Sequence, residues 1–217
     1  HSPEDLNHLE AGPMIELDHL AVAGESLKAA SDLAAQVLGV PLQPGGAHAV
    51  FGTHNHLLGL ADALYLEAIA VDPDAPAPAY ARWFDLDRFN GPARLSNWIC
   101  RCDDLDATLE ALPEGYGAPV ALQRGDLRWR MAVPETGMLP YDNCAPALMQ
   151  WEGEAHPTQR LDASGCRLVT LTVQHPQAEA LAAALAPVFT DARVVFEVGT
   201  PALSARFDTP AGRAVLA

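Results

Sequence analysis

The chain has 217 residues, 49% of them hydrophobic, and its 28 acidic against 13 basic side chains give a formal net charge of −15. So acidic a surface repels phosphate backbones and anionic lipid, which argues against nucleic acid and membranes as partners. No apolar run nears the ~18 residues a bilayer requires, and the length is enough to bury a sizeable core.

Residues 1–13 (HSPEDLNHLEAGP) are polar and patternless. They read as an added leader, with Met14 as the native start and His8 set aside. The first periodic segment is IELDHLAVA, Ile15 to Ala23, a strand with a histidine at its centre. Period-two alternation places Leu20 and Val22 on one face and Leu17, His19 and Ala21 on the other. A helix follows over ESLKAASDLAAQVLG, with Leu27, Ala30, Leu33, Ala34, Val37 and Leu38 at helical spacing and Gly39 as a left-handed stop. HAVFGTHNHLLGL then reads as a strand or hairpin, and YLEAIAV as a strand that turns Tyr65, Glu67 and Ile69 to the side of His19.

Residues 73–93, rich in proline and alanine, read as a linker pinned by Trp83 and Phe84. The same order then returns. RLSNWICRC (94–102) is a strand, DDLDATLEAL a helix with an aspartate cap and a Pro113 stop, and LRWRMAVPE and PALMQWEG are strands. CRLVTLTVQ opens a third, truncated copy, with a helix over PQAEALAAALAPVF and strands at VVFEVG and SARFDTP. His19 to Leu27, Asn97 to Leu105 and Thr170 to Ala178 each span eight residues. The expected division is 14–72, linker 73–93, 94–157 and a partial unit 158–217.

The four cysteines form no CxxC pair, so they read as buried thiols in a reducing cytosol, and the expected location is cytoplasmic. All basic side chains but Lys28 are arginines, which fits a GC-rich bacterial genome. No GxSxG, GxGxxG or GxxxxGK[ST] motif occurs, so neither a serine nucleophile nor a nucleotide cofactor is indicated. Arg128 and Arg130 share a strand face opposite Trp129, where they could grip a carboxylate or phosphate. His48, His54 and His56 fall on one face if their strand is unbroken, and a bulge at Gly52 breaks that parity. His156 and His175, each before a proline, read as turn residues.

LDHL, GGAHAVFGTHN, YLE, the WF-x-LD linker and QWEGEAHP together resemble the glyoxalase-like branch of the vicinal oxygen chelate superfamily over nearly all of residues 14–217. The resemblance implies an α+β fold of repeated βαβββ units whose curved mixed sheets form a cup. It also implies a divalent metal (zinc, iron, manganese or nickel) held by a residue at mid-first-strand and one on the last strand of a unit. Carried over, His19 and Glu67 are metal ligands of the first unit. In the second, Asn97 stands where the next histidine would be, and the last strand offers Gln150 as ligand and Glu152 as a catalytic carboxylate, with register leaving the choice between them open. Glu67 or Glu152 would serve as base, while His54, Asn55, Asn97, Arg128 and Arg130 would contact substrate. Trp98, Trp129 and Trp151 are candidate aromatic walls, with Trp98 opposite Asn97 by parity. The implied function is a metal-dependent lyase, isomerase or dioxygenase acting on a small oxygen-rich metabolite. The alternative is a protein that sequesters an antibiotic-type ligand without chemistry, and a homodimer with a vestigial cup is a third reading.

Overall fold

A computed structural model describes residues 12–217. His8 and most of the expected leader lie outside the described residues.

The first unit runs β1 (Ile15–Ala23), α1 (Leu27–Leu38), β2 (Gln43–His48), β3 (Thr53–Gly59) and β4 (Tyr65–Val71). The second runs β5 (Arg94–Cys102), α2 (Leu105–Ala111), β6 (Ala118–Arg124), β7 (Leu127–Val133) and β8 (Ala147–Glu152). Leu27 and Leu105, reached by the eight-residue spacing, are the first residues of their helices. Side-chain caps fix both starts, Ser26 accepting from Ala29 N and Asp104 from Ala107 N. Gly39 ends α1 at φ 72°, a left-handed turn that a β-carbon would strain.

All eight strands join one sheet in the order β2-β3-β4-β1-β5-β8-β7-β6. Within each unit the last strand lies parallel to the first, and the units meet along the antiparallel β1–β5 pair. The sheet curls until its two edges, β2 and β6, face each other: a β-carbon added at Gly46 would stand 2.6 Å from Arg124 Cδ. The curl shelters the two edges against each other without joining them in a ladder, which hinders pairing with other chains. The inner face of this half-barrel is the cup. Its outer face carries α1, which buries Ala30, Ala34 and Leu38, one apolar stripe at i, i+4 and i+8.

Neither edge strand is anticipated by the sequence reading. β2 is QPGGAH, whose proline and two glycines look like a loop, yet edge positions tolerate residues that a central strand rejects. The third segment starts as expected, with β9 (Arg167–Gln174) and α3 (Ala178–Leu185), the helix again starting at the eight-residue spacing. Its strands then depart from the copy. β10 (Val194–Glu197), β11 (Ala202–Thr209) and β12 (Gly212–Leu216) give a separate sheet in the order β10-β9-β11-β12. Here the strand directly after the helix, not the last one, pairs in parallel with the first. This sheet buries Trp98, whose ring packs on Phe189 and Phe196 and whose indole donates to Cys144 O at 2.8 Å. The linker enters the cup at a short 3-10 turn, Trp83–Arg88, where Trp83 stacks between Phe51 (4.6 Å) and Phe84 (5.1 Å). All four cysteines are buried free thiols, as expected.

Candidate functional site

The site begins with a β-bulge. Leu17 pairs with Cys100 and His19 with Ile99, so Asp18 is an extra residue in β1 with no partner on β5. A bulge resets strand parity, and Leu17 and His19 therefore lie on opposite faces, against the simple alternation read from the sequence. It also lets the successive residues Asp18 and His19 turn into the cup together. Their side chains meet, His19 Nδ1–H donating to Asp18 Oδ2 at 2.6 Å.

His19 sits 5% exposed, stacked on Tyr65 with ring centroids 4.3 Å apart. The parallel β1–β4 register sets Tyr65 beside it, and Glu67 follows two residues along β4 on the same face. His19 Nε2 stands 3.7 Å from Glu67 Oε1. That is too long for a good hydrogen bond. The other carboxylate oxygen, Oε2, accepts from Asn55 Nδ2 at 2.6 Å. Asn55 is itself fixed, because its Oδ1 accepts from Gly46 N and its amide also reaches His48 Nε2 at 3.3 Å. His48 in turn donates from Nδ1 to Thr53 Oγ1 at 3.0 Å.

Behind His19, Asp18 is fully buried and takes three further donors on Oδ1: His156 Nε2 at 2.9 Å, Trp151 Nε1 at 3.0 Å and Arg101 at 3.3 Å. Burial alone would raise its carboxyl, but the bonds from His156 and His19 outweigh burial and hold it well below the usual carboxylate range. For His19 burial likewise opposes charge, yet the Asp18 and Glu67 carboxylates push the imidazole up to about 9. The Glu67 carboxyl is lowered despite its burial, chiefly by His19. His48 goes the other way. Burial drives it down to about 4, so it is neutral at pH 7 and accepts from Asn55.

The walls come from the second unit and the linker: Trp129 and Met131 of β7, Met149 and Trp151 of β8, and Trp83 and Phe84. Arg124, the last residue of β6, completes the lining. The cavity left between these side chains is about 20 Å³, room for about one water, so a larger ligand must part the walls on entry. An open cleft elsewhere, between the linker and β11, contains Phe89, Arg94, Asn143 and Leu203. It holds no buried carboxylate–imidazole pair, so the cup is the candidate site.

His19, Glu67 and Asn55 converge as the sequence suggested; the rest of that set does not. Gln150 faces outward and its Oε1 caps α2 by accepting from Leu105 N at 2.9 Å, so it is no cup ligand. Glu152, two residues on, is exposed on that outer face and pairs across the strands with Arg128, also exposed. Arg130 shares that face and grips Asp106 of α2. The alternation that groups these four was legible, but not which face is the cup. His54 likewise looks outward, on the side where His56 bonds Ser31 of α1. The reason is the turn between His48 and Thr53, which reverses the chain so that His48 pairs with Thr53 and not with His54's face. Asn97 does share His19's face by register, opposite Ala21. It is completely buried, contributes nothing to the cup lining, and neither of its amide atoms has a hydrogen-bond partner. Of the three candidate tryptophans, Trp129 and Trp151 are walls, while Trp98 of β5 packs on Phe189 and Phe196 beside the four-stranded sheet.

Sequence reasoning missed Asp18, His156 and Arg124. Asp18 required the bulge, and His156 required a tertiary contact over 138 residues. His156 is a turn residue as expected, capping Pro157–Gln159, but its ring serves the site as well.

Whether a metal fits can be judged from the donors. Two ligands ~2 Å from one ion stand roughly 3–4 Å apart, which suits the 3.7 Å between His19 Nε2 and Glu67 Oε1. The Asp18 bond to Nδ1 is the outer-shell partner that orients a ligating imidazole. Among the described residues no group of three or more His, Cys, Asp or Glu side chains is placed to hold an ion. The residues thus fit a divalent ion as a two-ligand site with most positions open. No helix among the described residues is long and apolar enough to cross a membrane.

The sequence model of a glyoxalase-like domain matches residues 17–189. A search of curated proteins finds no match. Among solved structures, a hypothetical protein from Staphylococcus aureus is similar at 17% identity and TM-score 0.59, covering 87% of this chain and 88% of that one. The Mn(II)-bound glyoxalase from Novosphingobium aromaticivorans aligns at 11% identity and TM-score 0.49, covering 94% and 81%. Methylmalonyl-CoA epimerase from Mycobacterium tuberculosis aligns at 20% identity and TM-score 0.40, covering 64% and 88%. With a match over most of its length and the curled sheet of paired βαβββ units, this chain belongs to the glyoxalase-like domain family of the vicinal oxygen chelate superfamily.

Proposed function

We propose that the cup binds a small oxygen-rich carbonyl compound and moves a proton on it, as an isomerase or lyase does. The observation that carries this reading is the buried His19–Glu67 pair, 3.7 Å apart and open to the cup between its partners. A substrate seated there separates the two groups. Glu67 then loses the balancing contact of His19, and its basicity rises. Its carboxylate takes the proton from the carbon next to the substrate carbonyl, while the C–H electrons move toward the carbonyl oxygen. His19 donates its Nε2 proton to that oxygen, and Asp18 stabilises the imidazolium before the transfer and keeps the ring aligned. The aromatic walls exclude water, which strengthens each charge interaction. In a metal-loaded form His19 and Glu67 would instead hold a divalent ion, which would supply Lewis acidity to the substrate carbonyl in place of the imidazolium proton.

The test is hydrogen exchange. Small ketones, aldehydes and 2-oxo acids are incubated with the protein in D2O and the carbon-bound protons followed by NMR, with elemental analysis of protein purified without chelator. Exchange catalysed by the wild type and lost in Glu67→Gln is the expected result. Exchange that persists undiminished in Glu67→Gln would sink the acid–base role. Tight binding without exchange in the wild type would favour the second reading, a cup that sequesters its ligand without chemistry. Asn97, standing where the superfamily pattern has a second histidine, is the observation on that side.

A further inference from the structure

We propose that Arg124 is the anion anchor of the cup and that the molecule handled there carries a carboxylate. This assignment rests on the cup being a small-molecule site and deepens it by naming the ligand class. Eight of the other arginines form ion pairs: Arg82, Arg88, Arg101, Arg130, Arg160, Arg167, Arg193 and Arg213. Arg94 donates to backbone carbonyls, and Arg128 and Arg206 are exposed to water. Arg124 is half-buried and, among the described residues, makes neither a hydrogen bond nor an ion pair; its Nε is buried without a partner. In a chain with 28 acidic side chains, no carboxylate has been placed on it.

The approach of Arg124 is built into the opposite edge of the sheet. Gly46 of β2 lies against the arginine stem, and a β-carbon there would stand 2.6 Å from Cδ and 3.2 Å from a terminal guanidinium nitrogen. A bare glycine is what lets the side chain lie across the seam into the cup. Glu67 lines the same cup but is turned to Asn55 and His19, not to Arg124. Arginine's planar fork of five N–H donors matches a carboxylate, and the buried Nε donor left without an acceptor is unfavourable until a ligand brings one. Glu67, a carboxylate lining the same narrow cup, disfavours a dianion, so a carboxylate suits the cup better than a phosphate.

Trp83, Trp129 and Trp151 line the cup, so tryptophan fluorescence reads occupancy. The probes are C2–C6 acids bearing a 2-oxo or 2-hydroxy group, each paired with its neutral amide, plus methyl phosphate. At least one acid is expected to bind the wild type about 30-fold or more tightly than its amide, from paired charge-assisted bonds. Arg124→Met should bring acid and amide within ~3-fold, and Arg124→Lys should keep part of the preference. Gly46→Ala keeps the charge but displaces the guanidinium, and should lose the preference too, which preserves the test if Arg124→Met does not fold. A panel in which no acid outbinds its amide, a preference that survives in Arg124→Met, or methyl phosphate outbinding every acid would overturn the assignment. Hydrogen exchange lost from Glu67→Gln on neutral ketones, with no acid preference in the wild type, would leave the acid–base reading standing and remove this one. An intact acid preference without any exchange would do the reverse.

Discussion

The two βαβββ units share a topology and divide the labour. On the cup face of the first lie His19, His48, Asn55 and Glu67, a chain of polar contacts with Asp18 behind it. On the cup face of the second lie Trp129, Met131, Met149 and Trp151, with Arg124 at the rim. The polar residues of the second unit's last two strands, Arg128, Arg130, Gln150 and Glu152, all point outward. A repeated scaffold thus carries ionisable chemistry in one half and walls plus a single cation in the other. The fold supplies the cup, and side chains on individual strands supply its function.

The sharpest way to break this comparison is at Glu67. Glu67→Gln should lower catalysed hydrogen exchange ~10²–10⁴-fold, the span of a lost general base, while retaining the Asn55 contact. If Glu152→Gln, on the outer face of the other half, has a comparable effect by the same NMR assay, the division between units is wrong.

Next in size is Asp18. Asp18→Asn should cost ~10–100-fold in exchange, as loss of an orienting partner does, and should also flatten a pH dependence. His19 is raised to about 9 in the fold against an ordinary 6.5. A raised imidazole stabilises the folded state fully below its unfolded pKa, and that contribution is lost as pH rises through the folded one. Stability of the chelator-treated protein should therefore fall between pH 6.5 and about 9. The depressed Asp18 and Glu67 carboxyls act at the other end, their contribution being lost as pH falls below the ordinary carboxylate range. Thermal melts across pH check both limbs. A decline above pH 6.5 that is equally steep in Asp18→Asn would contradict the assignment.

Smaller effects sharpen the second half. Asn97 buries an amide with neither atom bonded. Asn97→Leu, of similar volume, should stabilise by ~1 kcal/mol through removal of an unsatisfied polar group, read as a higher Tm with acid binding unchanged. A large loss of ligand binding would instead give Asn97 a place in the site. Of similar size, Gln150→Ala should cost ~1 kcal/mol by uncapping Leu105 N, with exchange and metal content unaffected. Metal lost in this variant would return Gln150 to the ligand set.

Much of the scaffold was legible because it rests on local physics. Alternation and helical spacing located β1, α1, β4, β5, α2, β7 and β8, and the eight-residue interval marked all three helix starts. The edge strands β2 and β6 were not legible, since the proline and glycines of QPGGAH and the proline of APVALQR look like loop, and with β6 went Arg124. The third segment's strand order was hidden too, because local pattern is silent on which strand becomes whose neighbour.

By itself the sequence determined the inner strands, the helix starts and the placing of His19 and Glu67 on one face, since each follows from a period or from residues near in the chain. Only the tertiary structure decided which face of the second unit is the cup, brought Asp18 into it through a bulge, and set His156 and Arg124 around it. Those outcomes depend on how the sheet curls and where its edges meet, and that is fixed by packing among residues a hundred or more positions apart.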